Sequence, residues 1–340
     1  MRHILPGYIH RPGLHCGSTA MRSVLAYRGI PLSEPMCFGL GAGAGFFYVP
    51  DLPVPPGVVI HGRTLMFERD LCRILGLPFD EHTEDDADLG WIHARGAVLA
   101  GHPVLLAADL AYLDYFGTKT HFAGHRVVLV GVDDEEGEAI LSDSEREGLQ
   151  GVPVASLKRS RGSNIPPFPM RHWWTVVDPK AEPVPVPAAI PAALRKNARE
   201  IFTPGEDGRC GIPAVRRLAG EVGMWPGMTE HWEFAARFQY QVIEKRGTGG
   251  GFFRRLYAAY LAEASAFHPA IGREGLPAAM AEVADGWTAV ATRFREISEG
   301  GDPGLFAGMR DPLLRQSDLE ERFWRRVAAV ADGLPAGREP

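Results

Sequence analysis

The chain has 340 residues, of which 45% are hydrophobic and 23% are charged, so it is long enough for two globular domains that each bury a core. Its formal net charge of -6 gives no electrostatic basis for binding nucleic acid or an anionic membrane. Its four cysteines are widely separated and form no Cys-x-x-Cys pair, which argues against a zinc site or a disulfide framework and favours a reducing compartment.

The sequence also predicts where the protein resides. Its first residues lack the apolar run of a signal peptide, and no stretch approaches the length of a membrane span. We therefore expect a cytoplasmic protein that contacts neither membranes nor nucleic acid.

The first informative stretch, residues 13–29, predicts a helix that begins at Cys16. Apolar residues recur after it at helical spacing, and Gly29 before Ile30-Pro31 ends the pattern. A thiol at a helix N-terminus faces free backbone N–H groups and the positive end of the helix dipole, which both favour the reactive thiolate. Cys16 is therefore a candidate nucleophile, and a buried, unreactive cysteine is the alternative.

Alternating glycines follow within residues 39–45. The dinucleotide-binding spacing G-x-G-x-x-G is not met, and aromatic residues stand where its helix would start. We expect these glycines to let the backbone approach a neighbouring element or substrate closely.

Further along, apolar patterns predict strands at 58–60 and 103–108 and helices at 64–75 and 91–100. Residues 109–120 are typical of a loop rich in aromatic side chains, among them Tyr112, Tyr115 and Phe116.

The second informative stretch, residues 121–143, predicts an antiparallel hairpin. A strand over 127–132 is followed by a turn and by a returning strand over 139–142. Facing residues of such a hairpin have position numbers with a constant sum, so a turn centred near Asp134 places His125 opposite Asp143. This pairing supplies an imidazole oriented by a carboxylate, as a catalytic histidine needs.

Three further histidines are candidates for oxyanion or substrate binding. His10 stands six residues before Cys16 and is a candidate oxyanion donor, whereas His15, beside the thiol, serves that role instead or only packs. His121 shares a His-x-x-x-His spacing with His125, which with Asp143 offers an alternative metal site. The intervening Gly124 and the strand start disfavour a metal, so we expect none.

Residues 144–169 read as polar and irregular, and 173–177 as a last strand. The proline-rich residues 181–191 predict a linker between a catalytic domain, 1–180, and a helical domain, 192–340. Helical patterns in the second domain cover residues 192–202, 211–222, 229–244, 252–267, 276–297 and 318–331.

Between two of these helices, residues 243–255 form a glycine loop flanked by basic side chains. These side chains are Lys245, Arg246, Arg254 and Arg255, and a helix starts beside them. Such a loop can cradle an anion, because helix N-termini bind phosphate. A tight turn between helices with solvated basic side chains is the alternative.

The order of a cysteine on a helix, a histidine at a strand start and an aspartate after the next strand resembles papain-like cysteine peptidases. It is most similar to the bacteriocin-processing branch, in which a glutamine six residues before the cysteine helps to form the oxyanion hole. His10 stands at that place here.

Longer segments resemble another family. Residues 14–18, 34–41, 45–48 and 125–133 resemble the N-terminal domain of the butirosin biosynthesis protein H family. Residues 243–252 resemble the helical C-terminal domain of unassigned function that often accompanies it. The resemblance to these two domains together covers nearly the whole chain.

The resemblance implies an α+β fold, in which a papain-like domain with an antiparallel sheet precedes a mainly helical domain. It also implies acyl transfer from the thioester of an acyl carrier protein to a small-molecule amine acceptor, in natural-product biosynthesis. Cys16 would carry the acyl group, His125 would deprotonate the amine, and Asp143 would orient the imidazole.

No cofactor is expected, because the acyl group would arrive on the phosphopantetheine of the carrier protein. Lys245, Arg246 and Arg254 would receive its phosphate or the acidic helix of the carrier. Two alternatives stay open: a cysteine peptidase or amidase with the same three residues, and a non-catalytic binding module with a buried Cys16. The acyl group, the acceptor and the oligomeric state are not predicted.

Overall fold

A computed structural model of the chain describes residues 1–166, 169–177 and 181–335. The chain divides into two compact units, one formed by Met1–Cys37 with Gly76–Pro183 and the other by Phe38–Leu75 with Val184–Pro340. Phe38–Leu75 therefore packs with the C-terminal half of the chain, although it lies within the range expected for the catalytic domain.

The elements are numbered in chain order. The strands are β1 (Arg2–Ile4), β2 (Ala44–Val49), β3 (Val59–Arg63), β4 (Phe79–His82), β5 (Val104–Ala108), β6 (His125–Asp133), β7 (Glu138–Ser142), β8 (Gln150–Pro153) and β9 (Trp174–Val177). The helices are α1 (Cys16–Tyr27), α2 (Glu34–Leu40), α3 (Phe67–Ile74), α4 (Ala87–Leu99), α5 (Val154–Arg161), α6 (Val186–Phe202), α7 (Gly211–Glu221), α8 (Trp225–Met228), α9 (Trp232–Glu244), α10 (Arg254–Ala264), α11 (Pro269–Arg273), α12 (Leu276–Gly300) and α13 (Arg310–Asp332).

The first unit is built on an antiparallel sheet in the order β4-β9-β5-β6-β7-β8, and β1 also pairs with β6. Strand β6 is central because its apolar, largely β-branched residues are buried along nearly the whole strand. Helices α1 and α4 pack against β6. The helix that begins at Cys16 and the strand that begins at His125 are thus in contact.

The second unit combines the β2–β3 hairpin with helices from the C-terminal half. The glycines of residues 39–45 serve close packing here: a Cβ at Gly39 would collide with the Tyr260 ring, and one at Gly41 with the Phe67 ring. The expectation that they allow close approach to a neighbouring element is confirmed.

The predicted combination of an antiparallel sheet and a helical region is confirmed, whereas some local expectations are wrong. Residues 144–169 are not irregular throughout, because β8 and α5 lie within them. The expected linker 181–191 already contains the start of α6, since Pro187 falls in the first turn, where a helix needs no proline N–H. In the described residues, no helix is both long and apolar enough to cross a membrane.

Candidate active site

The candidate nucleophile stands at the first residue of a helix. Helix α1 begins at Cys16, and His15 before it has extended backbone angles (φ -121°, ψ 128°). The His15 Nδ1 atom accepts a hydrogen bond of 3.2 Å from the Ser18 backbone N–H, which caps the helix. Cys16 keeps partial exposure, whereas the next residues of the helix are buried. The thiol is therefore held at the positive end of the helix dipole, on a residue that is partly exposed.

A buried carboxylate fixes the junction that leads into this helix. Glu34 accepts hydrogen bonds from the Leu14 backbone N–H at 3.0 Å and from that of His15 at 2.8 Å. It also accepts bonds of 3.0 Å from the hydroxyls of Ser18 and Thr19. Glu34 thereby holds both the residues that precede the nucleophile and the first turn of its helix.

The histidine and aspartate candidates are in contact, as expected. The His125 Nε2 atom lies 2.9 Å from Asp143 Oδ2, and both side chains are buried. Asp143 Oδ1 accepts a further bond of 3.0 Å from the Glu145 backbone N–H. Since Nε2 is occupied by the carboxylate, Nδ1 is the ring nitrogen left to interact with Cys16, to which His125 is hydrogen-bonded.

The two side chains meet through a hairpin register that differs from the expected one. Val128 pairs with Ser142, where a turn centred near Asp134 would have paired it with Ile140. A β-bulge between Leu129 and Gly131 shifts the register further along the hairpin. Asp143 therefore reaches His125 as a diagonal neighbour on the same face, a spacing that long polar side chains can bridge.

The electrostatics favour a charged pair. Burial by itself raises the pKa of the Cys16 thiol, but hydrogen bonds and positive charge from His125 and His15 outweigh it, so the pKa lies well below the ordinary 9.0. Burial lowers the pKa of His125, yet the Asp143 carboxylate and the Cys16 thiolate raise it to about 10. Burial also opposes ionisation of Asp143, but the His125 charge holds its pKa below the ordinary value. These shifts favour a thiolate facing an imidazolium near neutral pH.

Aromatic side chains of the 109–120 loop cover the pair. The Tyr115 hydroxyl donates a hydrogen bond of 2.7 Å to Asp143 Oδ2, and the Phe116 ring meets the His125 ring edge-on at 5.7 Å. The Arg146 guanidinium lies 4.2 Å from the centre of the Phe116 ring and donates to the Tyr115 carbonyl at 3.1 Å. These contacts restrict water around the imidazole and the carboxylate.

His10 is held beside the site by both ring nitrogens. Nε2 lies 2.8 Å from the Arg146 carbonyl, to which it must donate, and Nδ1 lies 2.8 Å from the Ser142 hydroxyl. In this arrangement His10 has no ring N–H left for an oxyanion. His15, by contrast, interacts with the Cys16 thiol itself, so the structure brings His15 to the nucleophile and engages His10 elsewhere.

His121 belongs to a second imidazole–carboxylate pair. Its Nδ1 atom lies 2.7 Å from Asp109 Oδ2, and the Ser163 hydroxyl donates to the same oxygen at 2.7 Å. His121 and His125 therefore bind different carboxylates and do not share a ligand set. In the ranges that the structure describes, no group of three or more His, Cys, Asp or Glu side chains is arranged to hold a metal ion.

The glycine loop of residues 243–255 is bonded to neighbouring side chains of the second unit. The Glu244 carboxylate accepts a 3.1 Å hydrogen bond from the Gly251 backbone N–H, so the glycine loop already surrounds an acid of the chain itself. Lys245 is exposed, and Arg246 donates to the Gln241 side chain at 2.8 Å. These contacts favour a turn between helices, the alternative that the sequence left open, and anion binding by Lys245 stays a prediction.

Arg254 is a structural residue, which corrects the expectation that it binds phosphate. Its guanidinium is fully buried and paired with Glu320 at 2.8 Å. Its other donors bond to the carbonyls of Gly45, Gly62 and Phe252. All five N–H groups of the guanidinium are engaged, so none remains for a ligand.

The fold and the site together define an α+β protein whose sheet unit carries a cysteine, a histidine and an aspartate in one cluster. Residues 15–144 match the family described as butirosin biosynthesis protein H, N-terminal, and residues 155–327 match the Domain of unknown function (DUF4872). The chain therefore belongs to the butirosin biosynthesis protein H-like family. No curated protein matches the chain.

Several residues of the site were missed in the sequence. Tyr115 lies in a single 3-10 turn and Arg146 in a loop, and neither is long enough for periodicity to mark a side chain that points inward. Glu34 is an acidic residue beside Pro35 and reads as a helix start rather than as a buried acceptor. The signal that was available for Tyr115 is its place in an aromatic-rich stretch shortly before His125.

Proposed function

We propose that the protein is a papain-like cysteine acyltransferase that moves an acyl group from a carrier-protein thioester to an amine, in butirosin-type natural-product biosynthesis. The observation that carries the proposal is the contact of His125 with both Cys16 and Asp143, which favours a thiolate. The match of residues 15–144 to the butirosin family supports the biosynthetic context. The order of the nucleophile Cys16, the base His125 and the orienting acid Asp143 along the chain also supports a papain-like arrangement.

In the first half of the reaction, the Cys16 thiolate attacks the thioester carbonyl. The tetrahedral intermediate collapses with cleavage of the bond between carbon and the pantetheine sulfur, which leaves as a thiolate without prior protonation. That thiolate then takes the proton of the His125 imidazolium. The products are an acyl-Cys16 enzyme with a neutral imidazole and the free pantetheine thiol.

In the second half, the acceptor amine attacks the acyl carbon while neutral His125 takes its proton. The bond to the Cys16 sulfur breaks, which releases the amide and restores the thiolate and the imidazolium. Asp143 holds the imidazole and stabilises its charge in both halves. Backbone N–H groups at the start of α1 are the expected donors to the developing oxyanion, apart from the Ser18 N–H, which is bonded to His15.

A thioester donor suits this site because its thiolate leaves without assistance. Amide cleavage requires a proton on the leaving nitrogen, and it depends more strongly on a complete oxyanion hole. The only imidazole besides His125 that interacts with the thiol in the described structure is His15. If a side chain donates a hydrogen bond to the oxyanion, we therefore expect it to be His15 rather than His10.

The experiment is intact-protein mass spectrometry after mixing the protein, or its Cys16→Ala variant, with acyl-pantetheine thioesters. We expect a mass increase in the wild type alone, discharged by added amine and discharged slowly by water. An adduct lost equally fast in water indicates a hydrolase and contradicts the transfer step. If no thioester gives an adduct and alkylation finds Cys16 inert, the chain is not an enzyme of this kind.

A further inference from the structure

Two donors share one oxygen of the catalytic carboxylate. Asp143 Oδ2 receives the His125 Nε2–H at 2.9 Å and the Tyr115 O–H at 2.7 Å. The other oxygen, Oδ1, is held by the Glu145 backbone N–H at 3.0 Å. The carboxylate is thus fixed from three directions, and a single hydroxyl is responsible for one of them.

The position of Tyr115 is itself enforced. The Arg146 guanidinium donates to the Tyr115 carbonyl at 3.1 Å and lies 5.5 Å from the centre of its ring. The Arg146 carbonyl in turn accepts from His10 at 2.8 Å. His10, which the sequence suggested for the oxyanion, therefore belongs to the framework that holds this covering loop in place.

We propose that Tyr115 is a positioning residue of the site, whose hydroxyl holds Asp143 ionised and correctly turned toward His125. This proposal rests on the proposed function in so far as His125 serves Cys16 in catalysis. Tyr115 acts through Asp143 and does not itself touch the acyl group.

The hydroxyl is suited to this role at every working pH. Burial and the neighbouring Asp143 charge raise the pKa of Tyr115 far above its ordinary value of 10.0, so the phenol stays protonated and always donates. Its hydrogen bond in turn lowers the pKa of Asp143, after the larger effect of His125. Removing the hydroxyl must therefore raise the pKa of Asp143.

The sign of the expected pH effect follows from the charges around Asp143. These are His125 on β6, Tyr115 and Arg146 on the covering segments, Glu145 beside Asp143, and the Cys16 thiolate beyond His125. When Asp143 takes a proton, the His125 imidazolium loses the negative charge that stabilises it. The imidazole then becomes neutral, and the Cys16 thiolate loses the positive charge that stabilises it. In Tyr115→Phe this loss starts at a higher pH than in the wild type.

The test is the rate of Cys16 alkylation by iodoacetamide across pH 2.5–8, read by peptide mass spectrometry. We expect Tyr115→Phe to move the acid-side loss of reactivity upward by about half to one pH unit, the equivalent of one hydrogen bond. Tyr112→Phe removes the same atom from the same loop, where the ring packs on His121 at 5.5 Å, and should leave the profile unchanged. A Tyr115→Phe profile that overlays the wild type overturns the proposal, whatever the variant does to stability.

A double-variant cycle shows whether the effect passes through the carboxylate. In an Asp143→Asn background, Tyr115→Phe should cause no further shift, because the acceptor charge is already gone. An equal shift in both backgrounds overturns the proposed route. Alkylation needs no thioester, so the inference about Tyr115 can hold even where acyl transfer is not found, and the two failures are distinguishable.

Discussion

The His125 Nε2 atom lies 2.9 Å from Asp143 Oδ2, which leaves the other ring nitrogen for Cys16. This orientation fixes the tautomer: Nε2 carries a proton toward the carboxylate, and Nδ1 exchanges one with the thiol. The geometry therefore makes the thiol acidic and the imidazole basic, and both properties can be measured without knowledge of the substrate.

The first prediction concerns the reactivity of Cys16. Because its pKa lies well below 9.0, whereas burial raises the pKa of the partly exposed Cys210, Cys16 should alkylate at least about tenfold faster at pH 6.5. Peptide-resolved mass spectrometry separates the two sites within one sample. In His125→Gln the advantage of Cys16 should largely vanish; equal rates for both cysteines in the wild type would contradict the ion pair.

The second prediction is the pH dependence of stability. His125 has an ordinary pKa of 6.5 that folding raises to about 10, so its contribution is complete below 6.5 and is lost as the pH rises toward 10. Cys16 has an ordinary pKa of 9.0 that folding lowers, so its contribution is complete above 9.0 and is lost as the pH falls. Between 6.5 and 9.0, the folded and unfolded states bind equal numbers of protons at this pair.

The stability difference between the wild type and Cys16→Ser/His125→Gln should therefore be flat between about pH 6.5 and 9.0 and should fall on both sides. Urea unfolding at a series of pH values from 5 to 10.5 measures it. A difference that changes steadily across the neutral range would mean that the folded pair gains or loses a proton there, which contradicts the shifted pKa values of Cys16 and His125.

The contact within the candidate site could be predicted from the sequence because its side chains lie on or beside regular elements. Cys16 begins a helix with a clear periodic pattern, and His125 begins a β-branched strand. Turn geometry was harder: Asp133 pairs with Glu138, so the turn is centred after Asp134, and the register was wrong although the contact between His125 and Asp143 was right. Side chains of diagonal neighbours can still form a hydrogen bond, so His125 and Asp143 are in contact although the predicted register was wrong.

The features that the sequence did not predict depend on tertiary contacts. The strand over 44–49 was not predicted because its glycine and aromatic residues lack alternation, and its burial comes from packing within the second unit. Arg254 shows the same limit, since a basic residue at a helix start after glycines predicts an anion site equally well as a buried ion pair. The deciding partner, Glu320, is distant in sequence.

The third prediction tests the role of Glu34. Glu34→Gln keeps the shape of the side chain but replaces one acceptor oxygen by a donor, which faces the N–H groups of Leu14 and His15. We expect the free energy of unfolding to fall by about 1–3 kcal/mol. Glu147→Gln makes the same change on an exposed side chain and should have almost no effect. Equal stability for the two variants would show that Glu34 does not hold the start of α1.

The fourth prediction separates a structural Arg254 from a phosphate-binding one. Arg254→Met leaves the buried Glu320 carboxylate without its cation, while the indole N–H groups of Trp287 and Trp324 still point at it. Breaking a buried pair in this way costs about 3–5 kcal/mol, so we expect a large fall in the free energy of unfolding and a change in tryptophan fluorescence.

Arg255→Met is the matched control, because Arg255 follows Arg254 directly and makes an exposed ion pair with Asp285 at 2.9 Å. An exposed pair contributes between about 0 and 1 kcal/mol, so this variant should remain close to the wild type in stability. If Arg254→Met instead unfolds like the wild type but accepts acyl-pantetheine thioesters more slowly, the arginine serves the substrate. The five hydrogen bonds of its guanidinium to Glu320 and to the backbone predict the opposite result: a loss of stability that precedes any effect on the reaction.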